Sequence, residues 1–261
     1  MVLGVASALW AAAWWWFFHE DPRRHPRITS EELAALPAAD STGEIGSGPV
    51  PWRRLVPRVA PLMIVYFCQG WTGWLFVTWM PSLLQKNYGL DLKKSSFLYA
   101  AMLFSAMIAE FLGGVVTDYL LRRTGNLQIA RSRMIAVSWL LVVAGLVPAI
   151  IVHDLVVGLT GFTVALFFLG FAIAPLWTAT MDIAPNYAGS SSALMNAAGA
   201  VAGILSPVAF GWLLDRTGSW TTPFGLSVGL LLFAILMTWR IRPDRPIETV
   251  PGLARLAVAG E

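Results

Sequence analysis

Long apolar runs, each closed by a short polar or charged stretch, dominate the chain. Seven occur, at about residues 2 to 18, 59 to 83, 97 to 121, 134 to 152, 155 to 180, 187 to 214 and 220 to 241. They match or approach the roughly 20 residues an α-helix needs to cross a hydrocarbon core of about 30 Å. The runs are continuously apolar rather than alternating, which fits helices and not the strands of a barrel. The pattern predicts an all-α polytopic membrane protein. One transmembrane helix occupies 1–18, a polar linker 19–58, a six-helix bundle 59–241 and a polar tail 242–261.

Two of the runs end alike. Gly114 precedes Asp118 by four residues, with Arg122 and Arg123 beyond; Gly211 precedes Asp215 by four, with Arg216 next. Setting Gly114 on Gly211 pairs the middle helices of two consecutive sets of three. The alternative is coincidence, since aspartate is common where a helix leaves a membrane. The second of these runs also carries Gly199, Gly203, Pro207, Gly211 and Asp215 at intervals of four. That spacing makes a stripe of small residues suited to close helix packing, or to one helix sliding on another.

Composition and charge sharpen this picture. Hydrophobic residues make up 57% of the chain and charged residues 13%, about half the charged share of a soluble domain. Placing 19–58 in the cytoplasm puts 14 of the 18 basic residues inside, from Arg23, Arg24 and Arg27 to Arg240, Arg242, Arg245 and Arg255. Only Lys86, Lys93, Lys94 and Arg216 then lie outside, as the positive-inside rule requires. The C-terminus is expected inside a plasma or inner membrane. The two middle helices then run in opposite directions, which makes the pair an inverted (3+3) repeat, a recurring transporter plan. The basic excess is explained by loops facing an anionic leaflet, so no nucleic-acid partner is expected. No Lys or Arg precedes the first run, which argues for a span rather than a signal peptide.

Smaller signals fill in the connections. The linker holds Pro22, Pro26, Pro37, Pro49 and Pro51 and a Ser/Gly-rich tract at 41–48, with Thr29 to Glu32 placed to cap a short helix. Thr78, Trp79 and Pro81 are expected to mark a helix exit and interfacial anchor, and Asp182 to cap or pair. Cys68, the single cysteine, is expected in the core.

Several motifs carry a family resemblance. Gly114 to Asp118 with Arg122 and Arg123 resembles the loop signature of the major facilitator superfamily. Thr78 to Pro81, Asp182 to Pro185 with Gly189, Met195-Asn196, Ser206-Pro207, Thr217 to Trp220 and the Pro-rich segment from His25 to Leu36 together resemble its anion:cation symporter (phthalate permease) branch. The resemblance implies secondary active transport of an organic acid, such as a sugar acid or aromatic carboxylate, by proton symport. It also implies that this chain corresponds to the C-terminal half of a twelve-span protein, beginning at the sixth span. The N-terminal six-helix half, or a partner chain, would then be missing from it. A transport-incompetent remnant or a membrane interaction protein is the alternative.

Candidate site residues follow from charge inside apolar runs. Glu110 lies about 20 Å into its span at 1.5 Å per residue. An ionisable group at such depth is costly, and by default functional. It reads either as a proton-coupling residue or as a charge packed among helix ends. Gln69, Trp177 and Asn196 carry polar groups within spans. The resemblance places Trp177 and Asn196 on the solute site, and interhelical hydrogen bonding is the other reading for all three. Gly114, Asp118, Arg122, Arg123, Gly211, Asp215 and Arg216 are candidate gating residues. A retinal protein would need a lysine in a span, and the three lysines fall outside the spans. A hydrolase would need histidines or a nucleophile–base pair in the membrane, and His19, His25 and His153 sit at its edges. No catalytic residue, metal or cofactor is expected.

Overall fold

The computed structural model describes residues 2–19, 27–35 and 50–247. Arg23, Arg24, His25, the 41–48 tract and Arg255 lie outside the described residues, and every described element is helical. The chain divides into two units, Met1–Ser47 and Gly48–Glu261.

The first unit holds α1 (Val2–Phe17) and α2 (Ser30–Ala35). α1 contains no charged residue and ends in a ladder of stacked rings, Trp10 on Trp14 and Trp14 on Phe18. Aromatic rings of this kind favour the membrane–water interface. α2 begins as its sequence suggests. The Thr29 backbone N–H and hydroxyl both donate to Glu32 at 2.9 Å, and the Glu32 N–H returns a bond to the Thr29 hydroxyl at 3.2 Å. These bonds satisfy amides that the first turn would leave open. They also pull the Glu32 carboxyl below its usual range, the Thr29 backbone N–H contributing most.

The second unit is a helical bundle: α3 (Trp52–Lys86), α4 (Leu92–Thr124), α5 (Met134–Ile151), α6 (Leu155–Phe171), α7 (Ile173–Ile183), α8 (Ala188–Thr217) and α9 (Thr221–Thr238). One π-helical turn, Ile129–Arg133, leads into α5. α6 and α7 form a single span with a break at Ala172, so the bundle holds six segments long and apolar enough to cross a membrane. Several boundaries differ from the sequence reading. α3 begins at Trp52, so Arg53, Arg54 and Arg58 are helical rather than part of a linker. It also runs through Pro81 to Lys86, so Thr78 to Pro81 is no helix exit. Trp79 instead stacks on Phe210 at 4.9 Å between ring centres, inside the bundle.

The stripe of small residues on α8 faces α3. Gly199 lies against the Tyr66 ring, Gly203 against Trp74 and Gly211 against Trp79. The Trp79 indole N–H donates to the Pro207 carbonyl at 3.2 Å, and the Ser206 hydroxyl to the Trp71 carbonyl at 2.7 Å. A side chain at these glycines would displace an aromatic ring, so the stripe is a packing seam. Cys68 is buried in the core as expected.

α4 and α8, the pair aligned by their glycine–aspartate endings, both stop at a glycine in the left-handed conformation: Gly125 at φ 60° and Gly218 at φ 63°. A residue with a Cβ is strained there. The registers differ, because α4 continues six residues past Asp118 and α8 two past Asp215. The two helices share a second property. Only 22% of the central window of each of these spans is buried, against 39–44% for the other four.

One end of the bundle is tied by polar contacts. Arg131, 4% exposed, donates from Nε to Asp182 at 2.8 Å and from Nη1 to the Thr117 hydroxyl at 2.6 Å. That hydroxyl donates in turn to the Ala130 carbonyl at 2.6 Å, joining α4, the π turn and α7. Asp182 therefore pairs rather than binds solute. The segment after α9 folds back over the same end. Arg58 donates to the Arg242 and Arg245 carbonyls, Gln128 to the Ile241 carbonyl and the Asp244 carboxylate, Ser132 to the Ile241 carbonyl, and the Ile247 N–H to the Ile183 carbonyl. The Gln128 amide is the main cause of an Asp244 carboxyl held below its usual range.

Candidate functional site

A cavity of about 600 Å³ opens between α3, α4, the α6–α7 span and α8. Its polar lining comes from Tyr66, Gln69, Trp74, Glu110 and Asn196. Three of the four residues singled out as solute or proton ligands, Gln69, Glu110 and Asn196, thus share one space. The fourth, Trp177, does not line it. Its half-buried ring stands edge-on to Tyr66, 6.2 Å between centres.

The helices place these groups by simple periodicity. On α4, Ala106, Glu110, Gly113 and Thr117 fall on one face. Ala106 and Glu110 face the cavity, while Gly113 touches the Phe171 backbone and Thr117 reaches the Arg131 network. Glu110 lies near the middle of the 33-residue helix. Among the described residues its exposed carboxylate makes no hydrogen bond or ion pair. Asn196 projects from α8 on the turn before Gly199, whose missing side chain leaves room for Tyr66.

Gln69 behaves differently. It is 7% exposed and both ends of its amide are engaged: Nε2 donates to the Leu169 carbonyl at 2.8 Å, and Oε1 accepts from the buried Trp139 indole at 2.8 Å. Gln69 thus has interhelical partners at both ends of its amide and also reaches the cavity wall.

The loop motifs sit apart from the cavity. Gly114 meets only Ala174, at ordinary contact distance. Asp118 is exposed; Arg122 donates to its backbone carbonyl at 3.4 Å, and Arg123 to the Tyr119 hydroxyl at 2.7 Å. At the opposite end of the bundle Arg216 lies over the Trp212 ring, 5.4 Å from its centre, beside an exposed Asp215. The structure therefore gives the two endings different partners despite their shared spacing.

Sequence reasoning missed two features of the site. Gly170 lies against the Ala106 carbonyl and Gly113 against that of Phe171, so α4 and the broken span touch backbone to backbone on either side of Glu110. Gly170 and Pro175 within one apolar run were the available signal. Trp74 and Tyr66, which supply the aromatic wall, read simply as interior residues of an apolar run.

Comparison with known proteins agrees with this arrangement. A family model described as Major Facilitator Superfamily matches residues 1–207. A probable sulfoacetate transporter of Cupriavidus necator is 36% identical over 95% of this chain and 58% of its own length. A hexuronate transporter of Bacillus subtilis is 29% identical over 96% of this chain and 58% of its own. For a probable galactarate/D-glucarate transporter of Escherichia coli the figures are 29%, 76% and 47%. The chain thus spans about half the length of these relatives. Among solved structures, a bacterial homologue of the human lysosomal transporter Spinster, in an inward-facing and unoccupied conformation, superposes with a TM-score of 0.64 at 14% identity. That match covers 95% of this chain and 60% of the other.

Proposed function

Because this chain belongs to the major facilitator superfamily, we propose that it supplies the C-terminal six-helix half of a secondary active transporter that moves a small organic anion together with a proton. The observation that carries the reading is the cavity in which Glu110, Asn196 and the aromatic wall of Tyr66 and Trp74 converge. Asn196 and the indole and phenol groups offer donors that fix the orientation of a carboxylate or sulfonate. The aromatic surface accommodates the carbon skeleton, in the usual division of labour of small-molecule sites.

Glu110 supplies the coupling. It is the one ionisable group among the residues lining the cavity apart from the Tyr66 phenol, and two like charges in a membrane interior repel strongly. An incoming anion is admitted when Glu110 carries a proton, and both then cross together. The names of the relatives support an organic acid, carboxylate or sulfonate, as the class of solute.

The thin burial of α4 and α8 supports a second six-helix bundle lying over the cavity mouth, contributed by a longer form of the chain or by a partner. The charge bias supports an orientation with the Arg131–Asp182 end and the C-terminus in the cytoplasm of a plasma or inner membrane.

The test is uptake of candidate organic acids into vesicles, with and without a proton gradient. The 261-residue chain alone is compared with a version carrying an additional N-terminal bundle. Gradient-dependent accumulation by the extended version supports the proposal. No accumulation by either, with both folded, would leave a transport-incompetent remnant as the better reading.

A further inference from the structure

The break in the α6–α7 span is held by a polar clamp that the transport reading does not use. Pro175 has no N–H, so the Phe171 carbonyl lacks its helical donor, and the bonds on either side are long: Ala172 N–H to the Phe168 carbonyl and Leu176 N–H to the Ala172 carbonyl, both 3.2 Å. Two residues before the freed carbonyl, Leu169 accepts the Gln69 amide at 2.8 Å; Gln69 in turn accepts the Trp139 indole at 2.8 Å. The chain of bonds runs from α5 through α3 to the break and crosses three spans. Bonds in such a series polarise and strengthen one another in a low-dielectric interior.

The break also touches the coupling helix. Phe171 rests on Gly113 and Gly170 on Ala106, so the α6 flank of the break sits on the face of α4 that carries Glu110. A rotation at Ala172 that moves the α6 flank must displace α4 at those contacts. It must also break the bond from Gln69 to Leu169, since Gln69 is anchored to a fully buried Trp139.

From this geometry we infer that Gln69 is a positioning residue for transport rather than a solute ligand: together with Trp139 it clamps the break in the α6–α7 span and controls the hinge at Ala172. Its effect on turnover rests on the transport reading above. The clamp itself does not.

The decisive variant is Trp139→Phe. Trp139 is 0% exposed and does not line the cavity, so the change removes the indole N–H, together with part of a buried ring, while leaving the cavity-lining residues as they are. Gln69→Leu, which removes both bonds, is the companion. Amide hydrogen exchange of the full chain in lipid nanodiscs is read first. Segment 165–178 is expected to exchange at least threefold faster in both variants, with α9 unchanged. Uptake by the transport-competent assembly is read second. Trp139→Phe is expected to shift the maximal rate threefold or more, with the half-saturating concentration within twofold.

Unchanged exchange in Trp139→Phe overturns the clamp. A silent Trp139→Phe alongside a tenfold rise in half-saturating concentration for Gln69→Leu also overturns it, because Gln69 would then be a solute ligand. Faster exchange in a protein that transports nothing in any form upholds the clamp and refutes the transport reading.

Discussion

Replacing Asp182 by alanine strands a buried cation. Arg131 keeps its bond to the Thr117 hydroxyl but loses the one carboxylate within reach, at 2.8 Å. Removing one partner of a buried pair costs about 3–5 kcal/mol. The Asp182 side chain is 24% exposed and the Arg131 side chain 5%, so water reaches one side of the pair and takes the loss to or just below the lower end of that range, about 2–3 kcal/mol. On the scale of a domain of 150–250 residues this lowers the melting temperature by roughly 5–10 °C. The assay is thermal melting in detergent followed by the loss of the monodisperse peak. Asp182→Asn keeps an acceptor for the guanidinium and should lose about 1 kcal/mol. The double variant Arg131→Met with Asp182→Leu should recover most of the loss, because a packed apolar pair replaces a buried ionic one at little cost. A shift of under about 1 °C for Asp182→Ala would refute the premise that the pair closes this end of the bundle. So would a double variant worse than the sum of its parts, since the two single losses should not add for groups in direct contact.

Other expectations are brief. Gly113→Ala should destabilise by about 1–3 kcal/mol, because its methyl would collide with the Phe171 carbonyl; Gly114→Ala, which meets only Ala174 at 3.8 Å, should melt with the parent. Glu110→Gln in the transport-competent assembly should abolish the part of uptake that depends on a proton gradient, and an unchanged pH profile would remove its coupling role. The Glu32 carboxyl, observed by carbon-detected NMR, should titrate below the usual glutamate value. Because its folded value is depressed, the cap contributes fully above the unfolded value and is lost as pH falls through the folded one; Thr29→Ala, which removes the hydroxyl and keeps the backbone N–H, should bring the titration only part of the way back.

Hydropathy made the six spans of the bundle legible because each is set by local composition and a membrane tolerates few alternatives. Glu110 was legible for the same reason: a carboxylate in an apolar run has few roles. The role of Gln69 was not, because its partners lie 70 and 100 positions away, and an amide in a span reads the same whether it holds solute or backbone. Trp177 does not line the cavity because the resemblance that put it on the solute site assigns a position in the span, and that does not fix which way a side chain faces after the break at Ala172. The Thr78 to Pro81 signal misled because Pro81 is accommodated inside α3, where a break would have exposed backbone to lipid.

The segment from Ile241 to Ile247 makes its hydrogen bonds to the bundle mostly through main-chain groups: of the six described above, four use its own carbonyls and one its own N–H. Outside the buried Ile241 and Pro243 and the Asp244 carboxylate, side chains there are free to vary wherever the path of the backbone survives. For anyone engineering this protein, a reporter or affinity tag can follow residue 247, but a cut before it would loosen the ends of α3, α5 and α7 together.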